Sequence, residues 1–156
     1  MEKNILKGFT MLMLLVVVTL AAAAVPANAQ SPNSVKANIP FEFIVADKTL
    51  PAGAYAVTAA DAARDALMIQ SADGKNSALR MSGPTEQKNK RRAQMVFHRY
   101  GQNYFLAQVW NGESSGRELA KSKQERAVER ELASISSKSE LARSTYETIV
   151  VVAAAR

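Results

Sequence analysis

The stretch Ala93–Trp110, with the sequence AQMVFHRYGQNYFLAQVW, decides the fold of this chain more than any other segment. It contains the single histidine and the single tryptophan of the sequence, and its apolar residues follow a β-strand pattern. Gly101-Gln102 interrupts that pattern with a dipeptide suited to a tight turn, because glycine adopts positive φ angles without steric cost. The stretch therefore predicts an antiparallel β-hairpin at the centre of the core.

The position of this turn determines which residues of the hairpin face each other. His98 is predicted opposite Phe105, and Phe97 opposite Leu106. One face of the hairpin then carries His98, Val96, Tyr100 and Phe105. The other face is predicted to pack into the core and carries Phe97, Tyr104, Leu106 and Trp110.

The segments before the hairpin predict further strands. Val35–Val45 alternates between apolar and polar residues, as a half-buried strand does. Pro40 lacks a backbone N–H, so this strand lies at an edge, is bulged, or begins after Pro40. Pro51 and Gly53 then favour a type I turn before the next strand.

A second hairpin is predicted around Asp73-Gly74, a dipeptide typical of two-residue turns. Its strands would be Ala66–Gln70 and Ser77–Met81, although the alanines of Ala59–Met68 leave a short helix as the alternative. Residues 82–92 read as a loop, because a Gly-Pro pair near their start interrupts regular structure.

Arg117–Ala133 predicts the one helix of the chain. Ser122 and Glu125 have capping-box spacing, in which the serine caps the first turn and the glutamate bonds back to it, so the helix should cover about residues 122–134. Its apolar residues form one narrow stripe and would pack on a sheet face: Val128, Leu132 and Ile135.

The C-terminal part predicts a serine-rich linker over Ser134–Ser144 and a strand within Thr145–Ala155. Ile149–Val152 is strongly β-prone and uncharged, and would be prone to aggregation if it were exposed. We therefore expect it to be buried in the sheet; the alternative is that it pairs with another protein.

Together these patterns predict a mainly β (α+β) domain over residues 35–133. We expect a small antiparallel β-sandwich or barrel of about six or seven strands, with one helix packed against it.

Residues 1–29 have the three parts of a secretory signal peptide. Two lysines precede a long apolar run, and Ala27-Asn28-Ala29 is a small-x-small cleavage site before Gln30. Residues 30–34 would then form a flexible leader. We expect an exported, periplasmic or secreted protein with no membrane span after cleavage; the alternative is an uncleaved membrane anchor.

Cysteine is absent and the formal net charge is +6. The absence of cysteine excludes disulfides, thiol catalysis and the lipid-modified cysteine of a lipoprotein. One histidine and scattered carboxylates predict no metal site, because zinc needs three or four ligands. No phosphate-binding glycine motif or nucleophile motif is present, so no cofactor is expected.

The candidate functional residues are therefore few. His98 could act as a general base near neutral pH, which is the hydrolase hypothesis, but no second motif residue accompanies it, and a half-buried sheet histidine is the simpler interpretation. Tyr55, Tyr104 and Trp110 could form a platform for carbohydrate or peptide, although a core role is favoured.

A basic segment, residues 88–92, is the stronger candidate for binding. Its cations would attract an anionic polymer of the cell envelope or lipid headgroups, and they are Lys88, Lys90, Arg91 and Arg92. Nucleic acid is disfavoured as the partner, because the signal segment directs the chain away from it. The alternative is a solvated turn that keeps a neighbouring apolar strand soluble.

Three segments in this order resemble a family of small exported bacterial proteins of unknown function. They are NIPFEFIV with LPAGAY (Asn38–Tyr55), VFHRYG with YFLAQVW (Val96–Trp110) and GRELAKSKQER (Gly116–Arg126). The resemblance implies a stable exported domain and supplies no functional residues. We therefore expect a non-enzymatic binding or structural module of the envelope or secreted fraction, with no assigned catalytic residue.

Overall fold

The computed structural model describes residues 34–86, 92–135 and 146–155, with the side chain of Ile135 left out. The predicted signal segment, most of the basic segment and nearly all of the serine-rich segment lie outside the described residues. Within the described part of the chain, the helix is too short and too polar to cross a membrane.

The described residues form a mainly β domain with one helix, as predicted. The strands are β1 (Val35–Ile39), β2 (Phe43–Val45), β3 (Lys48–Leu50), β4 (Gly53–Ala59), β5 (Ala66–Ser71), β6 (Ser77–Glu86), β7 (Ala93–Tyr100), β8 (Asn103–Asn111), β9 (Ser115–Leu119), β10 (Glu147–Val152) and β11 (Ala154–Ala155). Helix α1 covers Lys123–Ile135.

The strands follow one path, β10-β7-β8-β9-β6-β5-β4-β1-β11. β10 and β11 are separated only by Ala153, so one C-terminal segment pairs with β7 on one side and with β1 on the other. β6 pairs with β5 through its first half and with β9 through its second half. The sheet therefore closes on itself, which leaves few unpaired edges.

The central hairpin has the predicted register. Phe97 is paired with Leu106 and His98 with Phe105, and Tyr100 is paired with Asn103 across the turn. Gly101 has a φ of 61°, the left-handed conformation for which glycine is suited.

A β-bulge in β8 changes the faces beyond that pairing. Val96 is paired with Gln108 while Phe97 is paired with Leu106, so Ala107 is an extra residue in β8. A bulge reverses the inside–outside alternation of the strand that contains it. The prediction that Trp110 shares the core face with Phe97 was therefore wrong.

The interior of the closed sheet is filled by aliphatic and aromatic side chains. Phe97 is fully buried there, and its ring makes T-shaped contacts with those of Phe41 and Phe43 at centroid distances of 5.2 and 5.6 Å. Tyr104 stacks on Phe41 at 4.1 Å. Most of the tyrosine and phenylalanine rings of the central hairpin and of Val35–Val45 thus pack in the core. This leaves little support for an aromatic platform.

Three segments differ from the sequence predictions. Val35–Val45 forms two strands, because Pro40 lies in the break between β1 and β2. Ser82–Glu86 is strand rather than loop, because it pairs with β9. Arg117–Leu119 belongs to β9 rather than to the helix. The strand count exceeds the predicted six or seven because Val35–Val45 is divided, the C-terminal strand is divided at Ala153, and β3 and β9 are additional strands.

Helix α1 begins where the capping sequence predicted. The backbone N–H of Glu125 donates to Ser122 Oγ at 3.0 Å, and the N–H of Gln124 donates to Asp47 Oδ1 at 2.9 Å. The Gln124 hydrogen bond, with that of the Ser122 hydroxyl, holds the pKa of Asp47 below its usual value. The helix then packs by its apolar stripe on the outer face of the sheet, through Val128 and Leu132 against Ile44, Tyr100 and Phe105.

Candidate functional site

A pocket of about 180 Å³ lies at one end of the closed sheet. Strand ends and the β4–β5 connection converge there. Its lining consists of Val35, Val57, Thr58, Ala59, Arg64, Leu67, Pro84, Val109, Asn111, Ser115, Gly116 and Arg117. Exposed Arg64 and Ser115 place the mouth of the pocket at the surface.

The inner wall of the pocket is apolar. Val35, Val57, Leu67 and Val109 are all at most 5% exposed and belong to the main core. Ala59 adds only a methyl group, so the core ends before it fills this end of the sheet. An apolar space of this kind is favourable for an apolar ligand group.

The mouth of the pocket carries positive charge. Arg117 donates from Nη2 to Ser82 O at 2.8 Å and to Arg64 O, and from Nε to Ser82 Oγ at 3.2 Å. These acceptors are neutral, so they position the guanidinium without cancelling its charge. Asp65, whose side chain is 65% exposed, has its Oδ1 3.8 Å from Arg117 Nη2, a distance and exposure at which an ion pair is weak.

The described residues that flank the basic segment lie beside this pocket. Glu86 is paired with Ser115 and Ala93 with Asn111, and both partners line the pocket. Arg92 is exposed. Lys88, Lys90 and Arg91 lie outside the described residues, so anion binding by the four cations stays a prediction.

His98 lies elsewhere, between the sheet and helix α1. Its Nδ1 is 3.0 Å from Glu125 Oε1, and the two side chains are 12% and 5% exposed. The ring of Tyr146 stacks on the imidazole at 3.9 Å. Tyr100 Oη also donates to Glu125 Oε1, at 3.4 Å, and burial together with the Glu125 charge raises the Tyr100 pKa.

Glu125 is the carboxylate that the hydrolase hypothesis requires beside His98. The two side chains are buried between the helix and the sheet, however, so their contact is better interpreted as one that holds the helix on the sheet. His98 is covered by Tyr146 and is not among the residues that line the pocket. The capping-box spacing predicts that the Glu125 carboxylate bonds back to the start of the helix, and it gives no sign of the contact with His98. The spacing of Glu125 with Val128 and Leu132 places all three on one helix face, which is the signal that could have found it.

We expect Glu125→Ala to lower the free energy of unfolding by about 2 kcal/mol, because His98 and Tyr100 would each lose a buried hydrogen-bond partner. Denaturant unfolding followed by circular dichroism measures this change. Glu129→Ala is the control. Glu129 lies on the same helix as Glu125 and forms a half-exposed ion pair with Lys121, so its loss should lower the free energy of unfolding by about 0.5 kcal/mol. Equal losses of unfolding free energy in the two variants would contradict the buried contact of Glu125 with His98 and Tyr100.

Among the residues that the structure describes, no group of three histidine or carboxylate side chains is placed to hold a metal ion. The two arginines of the pocket are suited instead to an anion.

Comparison with protein-family models, curated proteins and solved structures finds no match to this chain. The resemblance to small exported proteins therefore stays a prediction.

Proposed function

We propose that this protein is a non-enzymatic binding module that holds a small, largely apolar molecule in the pocket at the end of its sheet. The pocket itself carries this proposal: it has an apolar inner wall, a polar mouth and a volume of about 180 Å³. An engineered cavity of about 150 Å³ in another protein binds benzene. The pocket thus has room for a group the size of one aromatic ring.

The proposed site of action is the exported fraction, periplasmic or secreted. Its support is the arrangement of residues 1–29, in which a basic start, an apolar run and Ala27-Asn28-Ala29 follow one another. Small apolar molecules in that compartment would reach the pocket without crossing the cytoplasmic membrane.

Benzyl alcohol is a suitable neutral probe of this function, because it has one ring and no charge. We expect saturable binding by calorimetry or NMR titration, with a dissociation constant on the order of 1 mM. Ala59→Leu should weaken this binding at least about tenfold, because the added side chain occupies the pocket.

The matched control is Ala56→Leu. Ala56 lies in the same strand but on the opposite face from Tyr55 and Val57, so the same enlargement leaves the pocket open. Binding that is absent from the unmodified protein, or that is equally weakened in both variants, would contradict the proposed function.

A further inference from the structure

We infer that the ligand of this pocket is an anion, namely a small carboxylate whose apolar body is about the size of one aromatic ring or a short branched chain. This inference rests on the proposed function and adds the charge and class of the ligand. It combines the volume of the pocket with the identity of the groups at its mouth.

Among the residues that the structure describes, the lining of the pocket contains two guanidinium groups, those of Arg64 and Arg117, and no carboxylate. Asp65 lies beside the mouth, highly exposed, and offsets only part of this charge. A carboxylate entering the pocket would therefore meet net positive charge, and an ammonium group would be repelled.

Arg117 is held in place before any ligand arrives. Its hydrogen bonds to Ser82 and to the carbonyl of Arg64 fix the guanidinium at the side of the pocket. A pre-positioned arginine loses little side-chain entropy on binding an anion, and its positive charge and Nη1 would attract a carboxylate.

Other polar side chains of the mouth would orient a carboxylate. Thr58, Asn111 and Ser115 line the pocket, and Asn111 Oδ1 already accepts from the N–H of Glu113 and the hydroxyl of Ser115. The apolar wall formed by Val57, Leu67 and Val109 lies deeper. This order, charge outside and hydrocarbon inside, matches a molecule with one charged end.

Benzoate, benzyl alcohol and benzylammonium share the ring and differ in charge, so together they test the inference in the full-length protein. We expect benzoate to bind about fivefold more tightly than benzyl alcohol at low salt, and benzylammonium more weakly than both. Added salt should narrow these differences, because it screens exposed charges.

Two neighbouring substitutions change the charge of the mouth in opposite directions. Arg64→Asn should weaken benzoate binding about fivefold and benzyl alcohol binding clearly less; Arg64 has a φ of 60°, a conformation that asparagine tolerates. Asp65→Asn should tighten benzoate binding about twofold. Lys75→Asn, beyond the opposite end of β5, makes the same charge change as Arg64→Asn. It should leave the binding of both benzoate and benzyl alcohol unchanged.

The outcomes separate this inference from the proposed function. Equal affinities for benzoate and benzyl alcohol would overturn the anion inference and leave the pocket as an apolar site. An equal loss of both ligands in Arg64→Asn would also overturn it, since charge would not be the cause. If none of the three probes binds, the proposed function itself is wrong.

Discussion

Gly116→Ala is expected to lower the free energy of unfolding by about 3 kcal/mol. A methyl group at Gly116 would lie 2.6, 2.7 and 3.0 Å from three ring atoms of Trp110. Trp110 is 1% exposed, so its ring cannot move aside without disturbing its own packing. Overpacking of this severity costs about 1–3 kcal/mol or more.

The clash follows from the bulge at Ala107. That extra residue turns Trp110 away from the core side of β8, and the pairing of Trp110 with Gly116 then lays the indole across β9. Only a residue without a side chain fits under the ring. Gly116 is thus required for close packing, and its φ is not in the left-handed range.

Gly83→Ala is the control for this prediction. Gly83 lies in β6, next to β9, and a methyl group there would contact nothing within 4 Å. Alanine at that position should leave stability unchanged or raise it by about 0.5 kcal/mol. Denaturant unfolding of both variants measures the difference, and a Gly116→Ala protein as stable as Gly83→Ala would contradict the placement of Trp110.

Val151→Asp should cost about 3 kcal/mol. Val151 is half-buried and packs against the main core from β10, the strand that closes the sheet. A carboxylate there would lose water and gain no hydrogen-bonding partner from the apolar core.

Val152→Asp provides the matched control, since the next residue of β10 points to solvent and is 69% exposed. The same substitution one residue later should change stability by about 0.5 kcal/mol or less. Thermal or denaturant unfolding distinguishes the two. Equal effects would mean that β10 does not pair with β7 in the register described.

The central hairpin could be predicted because its signals are local. Gly101 determines the turn, and the turn determines that Phe97 is paired with Leu106. The bulge at Ala107 could not be predicted, since neither glycine nor proline marks it in the sequence. The bulge accompanies long-range pairing: β9 pairs with the far half of β8, and the Trp110 ring lies over Gly116 of that strand.

The start of the helix was predictable for the same reason, since the Ser122 cap is a local feature. Arg117–Leu119 was not, because a helix-prone sequence there is overridden by pairing with β6. Such pairing depends on residues far away in the chain, which no local propensity encodes.

The pocket could not be predicted from the sequence either. Its wall is assembled from ends of β1, β4, β5, β6, β8 and β9, and none of these residues forms a motif with its neighbours in the chain. The sequence predicts binding at the basic segment, residues 88–92, instead. Glu86 and Ala93, which flank that segment, are paired with Ser115 and Asn111 of the pocket lining.

The binding claim is tested most directly by intermolecular nuclear Overhauser effects between benzyl alcohol and the methyl groups of the protein. We predict contacts from the ring protons to Val57, Leu67 and Val109, which form the inner wall of the pocket. Contacts confined to Leu79 and Met81, which are 53% and 60% exposed on β6, would show that the probe binds the outer surface and would contradict the account.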